Sequence, residues 1–204
     1  MLKDLFIGTF LGMSNDESLA ELYWKEIQSA YSASDRHYHN LLHLEQLAAH
    51  LLDHRDQVTD WEAMVMALFY HDVVYNTLRQ DNEAKSAVFC EKRLKKAGFP
   101  PERLELVKET IIATKGHTIH QNPDIDLFTD ADLAILGSSW ADYERYAKQI
   151  RQEYSIYPDF VYRPGRKKVL AHFLEMERIY KTESFHQRLE TQARANLQQE
   201  FSEK

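Results

Sequence analysis

The chain has 204 residues and a formal net charge of -7, with 44% hydrophobic and 28% charged residues, proportions ordinary for a globular protein. One core at this length buries roughly 70% of the surface of the unfolded chain, so no structural metal is needed and any bound metal points to function. The acidic balance without a polybasic segment argues against bulk binding to nucleic acid polymers, the single Cys90 excludes an internal disulfide, and no apolar run is long enough to span a membrane.

The N-terminal MLKDLFIGTFLGMS lacks the length and clean apolar run of a signal peptide, and the expected setting is cytoplasmic. Periodicity then predicts helices almost throughout. Leu19, Leu22, Tyr23, Ile27 and Ala30 share one face behind a Ser14 to Glu17 capping-box pattern. Leu44, Leu47, Ala48, Leu51 and Leu52 repeat the spacing, and 61 to 75 is apolar on nearly all sides, as a buried central helix would be. Glu83 to Ala97 reads as a helix stopped by Gly98, and Pro101 opens another that runs through Thr114. A loop is expected at 114 to 126, then a helix carrying Trp140, Tyr143, Ala147, Ile150 and Tyr154, and a second loop at 155 to 166. Two final helices are expected at roughly 166 to 181 and 184 to 200. No period-two alternation or hairpin signal appears. The fold expected is an all-α, compact helical bundle in a single domain over 1–204.

Within that frame, His71 and Asp72 sit side by side in ALFYHDVVY. Burying an imidazole beside a carboxylate costs several kcal/mol unless the pair is compensated. A divalent metal compensates both, and it requires ligands from other helices. His43, which follows RHYHN, and Asp132 in FTDADLAIL are the candidates. Asp130 competes with Asp132, because either of the two acids in DAD is a suitable ligand and the other a helix cap. For His71 and Asp72 the alternative is a buried ion pair; for His43 it is a helix-start histidine bonded to backbone. His39 falls on the face of His43 and serves either behind the metal ligands or in packing, whereas His37 is expected to be exposed.

The order His, His-Asp, Asp resembles the HD superfamily of metal-dependent phosphohydrolases. RHYHNLLHL, FYHDVVY, DNEAKSA and DADLAILG are together similar to an uncharacterised branch of predicted HD phosphohydrolases. The resemblance implies an HD core at about 36–137, with C-terminal helices at 139–200 packed on it. It also implies metal ligation by His43, His71, Asp72 and Asp132. In members with two metals, further histidines between the His-Asp pair and the last Asp hold the second ion. Only His117 and His120 occupy that interval here, which favours a single metal.

The chemistry so implied is hydrolysis of a phosphate ester or anhydride in a small molecule, a nucleotide being the class in view, by metal-activated water. Asp72 would bind the ion and orient the water, and Glu83 is a candidate general acid or base, the alternative being a helix-start acid that favours the dipole. Arg36, His117 and Arg166 are the leading candidates for binding the phosphorylated substrate, with Lys115, Arg163 and Lys167 behind them. Tyr38, Tyr75, Trp140, Tyr154 and Tyr162 offer stacking surfaces or core packing. Two imidazoles with two carboxylates suit Mn, Fe, Co, Ni or Zn, and Mg where waters complete the shell. Alternatives are a di-iron oxygenase on the same scaffold and a non-catalytic metal or nucleotide sensor. No membrane or nucleic acid partner is expected, and a homodimer is left open.

Overall fold

The architecture is set around one short helix with no polar face. In the computed structural model, which describes residues 1–203, α4 (Trp61–Tyr70) has every side chain from Ala63 to Tyr70 fully buried. The sequence is apolar all round here because the helix is surrounded, and its neighbours α1 (Leu2–Leu11), α3 (Leu41–Asp53), α5 (Asn82–Lys96) and α6 (Pro101–Ala113) pack on different sides of it. Helix α2 (Glu17–Tyr31) joins through α1, where Phe6 meets Phe69 edge-on at 5.2 Å and Trp24 at 6.1 Å. Helix α7 (Pro123–Asp132) and a 3-10 turn at Leu133–Gly137 lead to α8 (Trp140–Glu153), α9 (Asp159–Glu175) and α10 (Glu183–Glu203). No strand occurs among the described residues, so the all-α expectation holds. Among them, no helix is long and apolar enough to cross a membrane.

The chain divides into two compact units, Met1–Thr129 and Asp130–Lys204. The division falls inside α7, which is one uninterrupted helix. Within the second unit, α10 lies against the 3-10 turn so closely that Gly137 has no room for a side chain. A Cβ there would stand 2.5 Å from Leu189 Cβ and 2.8 Å from the Leu189 carbonyl oxygen.

Local signals act largely as their chemistry dictates. Asp16, Asn40, Asp60 and Ser139 cap α2, α3, α4 and α8 by accepting hydrogen bonds from first-turn amides. Gly98 adopts φ +78 beyond α5, and the Phe99 amide returns to the Leu94 carbonyl, closing the helix as a glycine at that position does.

Several boundaries differ from expectation, among them the end of the helix expected to reach 181, which stops at Glu175. Helix α1, whose buried residues Leu2, Phe6 and Phe10 fall about a turn apart, is not among the helices expected. The loop expected at 114 to 126 ends at Asn122: Asn122 Oδ1 accepts from the Asp124 amide, and Pro123 starts α7. The loop expected at 155 to 166 is mostly helical, since α9 starts at Asp159 and runs through Pro164. A proline in the second turn removes one intrahelical bond without ending the helix. Helix α4 stops at Tyr70, not residue 75, for a reason that belongs to the site.

Candidate metal centre

Helix α3 presents His43 in its first turn, where the Asn40 side chain fixes the entry by accepting from the Leu42 amide at 2.9 Å. His71 is the residue immediately after α4 and is only 1% exposed. Its Nδ1 lies 2.9 Å from the Leu68 carbonyl oxygen. A carbonyl only accepts, so Nδ1 carries the proton and the Nε2 lone pair faces outward as a ligand atom.

That Nε2 lies 3.2 Å from His43 Nε2 and 3.1 Å from Asp72 Oδ2. Donor atoms so spaced would be able to share one divalent ion. Helix α7 supplies the next carboxylate. Phe128 on this helix sets its ring edge-on to His71 at 5.9 Å, and Asp132 follows four residues later on the same helical face. His43, His71 and Asp132 each offer a ligand atom, all within 4.8 Å of one another. This triad, buried at both histidines, has the donor chemistry to hold a metal ion. Tyr38 and Tyr31 add aromatic walls, with centroids 5.0 Å from His43 and 6.5 Å from His71. His39 stands behind Asp72, its Nε2 4.0 Å from Oδ2 and its ring 4.4 Å from that of Tyr75.

The competition between the two acids of DAD is decided by their partners. Asp130 is fully buried and accepts from the Lys181 amide, Lys181 Nζ, the Thr182 amide and the Thr182 hydroxyl. Its carboxylate closes the start of α10 and is committed there. Asp132 is the acid left to stand with the histidines.

Two expected anion-binding residues have other tasks. Arg166, in the second unit, is 7% exposed and grips Glu200 with Nε at 3.0 Å and a terminal nitrogen at 2.8 Å. Burial alone would lower its pKa, but Tyr146 and Glu200 outweigh that and keep the guanidinium charged. Its donors face a carboxylate already present, so Arg166 is an ion-pair partner of Glu200 and not the phosphate-binding residue expected. Arg36 is also buried, and its terminal nitrogens donate to the carbonyls of His39 at 3.2 Å, Asp72 at 2.7 Å and Val73 at 3.2 Å. Its guanidinium serves the backbone of the site rather than a ligand. His117 is half-buried and takes φ 49, a left-handed conformation uncommon outside glycine. Glu83 is half-buried in the first turn of α5. His37, expected to be exposed, is half-buried.

The sequence reading passed over the residues that shape the turn after His71. The Asp72 amide donates to Tyr31 Oη at 3.1 Å. Ser86 Oγ both accepts from the Val74 amide and donates to the Val74 carbonyl, at 3.1 and 3.2 Å. Asn82 treats Asn76 the same way, at 3.1 and 3.0 Å. Side chains therefore occupy amides and carbonyls that a continuing helix would use, which is why α4 ends where it does. The signal is present in DNEAKSA, where Asn82 and Ser86 are four residues apart on one face of α5.

A concavity of about 840 Å³ lies in the first unit between Thr59, Glu109, His120 and Asn122. Its buried acid, Asp124, is saturated by the amides of Thr59 and Asp60 at 2.9 and 2.8 Å.

No family model, no curated protein and no solved structure matches the chain.

Proposed function

We propose that the protein is a metal-dependent hydrolase acting on a phosphate ester or anhydride in a small molecule, with a nucleotide as the favoured substrate class. The reading rests on the resemblance of the ordered His, His-Asp, Asp elements to HD phosphohydrolases. The observation that carries it is the convergence of His43 Nε2, His71 Nε2 and an Asp132 oxygen within 4.8 Å, with His71 Nδ1 tied to the Leu68 carbonyl. A bound divalent ion supplies Lewis acidity and a water acidified toward neutrality.

The chain's own residues divide the remaining work. His43, His71 and Asp132 hold the ion, while Asp72, 3.1 Å from His71 Nε2, completes the ligand set and orients the attacking water. Glu83 carries a proton to or from the leaving group, and His117, at the turn after α6, meets phosphate oxygens. Tyr75, half-buried beside His39, offers a ring for stacking a base. Mn fits the mixed nitrogen and oxygen donors, as do Fe, Co, Ni and Zn, with Mg next.

The test is elemental analysis of the purified protein, with phosphate release from nucleotides and generic phosphoesters under added Mn, Mg, Ni or Co. Metal-dependent turnover that His71→Ala abolishes is the expected result. Full activity in Asp72→Ala would sink the mechanism. Bound iron without phosphate release would replace it with an oxygenase, and nucleotide binding without turnover under any metal with a sensor.

A further inference from the structure

The first residues after α4 lie against a buried cation, Arg36, which contacts their backbone. Arg36 is 9% exposed, and its guanidinium carbon lies 4.8 Å from the Tyr31 ring centroid and 5.4 Å from that of Tyr75. Cation–aromatic contact on this scale holds the planar group in place while its edge stays available for hydrogen bonds. That edge reaches carbonyls of two segments far apart in sequence, His39 on one side and Asp72 and Val73 on the other. Tyr31 closes the arrangement through its hydroxyl, which accepts from the Asp72 amide at 3.1 Å. Both peptide groups flanking Asp72 are therefore fixed by Arg36 and its aromatic neighbour.

We propose that Arg36 is the positioning residue for Asp72. It holds the backbone of 72–73 in the turn that follows α4, and so fixes where the Asp72 carboxylate stands, 3.1 Å from His71 Nε2. The same guanidinium also donates to the His39 carbonyl at 3.2 Å. Arginine is required because one flat group must address three carbonyls; a lysine ammonium on a flexible stem would not hold that geometry. The inference deepens the metal-dependent reading of the site and rests on it.

The experiment compares wild type with Arg36→Met, Arg36→Lys, Asp72→Ala and the Arg36→Met/Asp72→Ala double variant, all of full length. Two readouts are used: Mn affinity by calorimetry, and amide hydrogen exchange of residues 72–76 without metal. Arg36→Met should weaken Mn binding about 10- to 100-fold, the range typical of residues that support metal ligands. Arg36→Lys should fall between it and wild type. The double variant should bind no more weakly than Asp72→Ala alone, because Arg36 acts through Asp72. Exchange over 72–76 should rise in Arg36→Met while α4 keeps its protection.

Additive losses in the double variant, or unchanged exchange over 72–76, would overturn the proposal. Should Arg36→Met fail to fold, the lysine variant decides by the same two readouts. A wild type that binds no metal while Arg36→Met loosens 72–76 would refute the metal-dependent reading and leave the bracing role of Arg36 standing.

Discussion

Asp130 and Asp132 stand two residues apart in DAD, and truncating each should have opposite consequences. The Asp130 side chain is 0% exposed and that of its partner Lys181 4%, with 3.1 Å between them. Asp130→Ala therefore strands an ammonium group out of water and leaves the Lys181 and Thr182 amides unpaired at the start of α10. Breaking one side of a buried pair costs about 3–5 kcal/mol. At a urea slope of about 2 kcal/mol/M, that lowers the midpoint by roughly 2 M. Asp132→Ala removes a half-buried acid from a cluster whose other members are buried histidines, and the metal-free protein should change by less than about 1 kcal/mol. The difference appears when metal is added. A ligand at a hundred times its Kd stabilises by about 2.7 kcal/mol, and Asp132→Ala should lose that increment while Asp130→Ala, where still folded, retains it. Urea unfolding followed by circular dichroism, with and without Mn, measures both terms. A tolerated Asp130→Ala, or an Asp132→Ala that keeps the metal increment, would refute the assignment.

Three further outcomes follow from the packing. Gly137→Ala should cost about 1–3 kcal/mol, because the new methyl meets Leu189 backbone atoms that move only with α10; Gly8→Ala, with nothing within 4 Å, should gain up to about 1 kcal/mol by helix propensity, and paired thermal melts compare the two. Tyr70→Phe should leave stability unchanged or raise it by up to about 1 kcal/mol, since the Tyr70 hydroxyl is buried without a hydrogen-bond partner; a loss of that size in urea would show that the hydroxyl has a partner. Burial alone would raise the pKa of Glu190, but the amides of Tyr180 and Ile179 and the Arg194 guanidinium outweigh it and hold the carboxyl below its usual range. A lowered folded value contributes stability above the unfolded value near 4.3 and loses it as pH falls through the lower one. Glu190→Gln should accordingly flatten the acid limb of the stability profile below about pH 4.5, as followed by thermal melts from pH 3 to 7.

Much of the helical architecture was legible because its causes are local. The capped start of α8, the Pro101 entry to α6 and the Gly98 exit from α5 are each written in a few adjacent residues. The burial of α4 was legible too, since a helix apolar on all sides has only one stable environment. His43, His71 and Asp132 stood out for a related reason: titratable groups in apolar surroundings require compensation.

What stayed hidden in the sequence depends on partners distant in the chain. Arg36 and Arg166 look alike as candidate anion binders, yet one braces the Asp72 and Val73 carbonyls and the other is locked to Glu200. The early end of α4 is decided by Tyr31 and Ser86, which lie 41 and 12 residues from the backbone groups they take. Asp130 and Asp132 share a tripeptide, yet Lys181 and Thr182 reach the first while the second stands with two histidines. The sequence by itself determined an all-α chain and a short set of candidate ligands, because periodicity, caps and the cost of burying charge act over a turn or two of helix. Only the tertiary structure decided which charges are already paired, because a side chain's partner is chosen by packing between elements far apart in the chain.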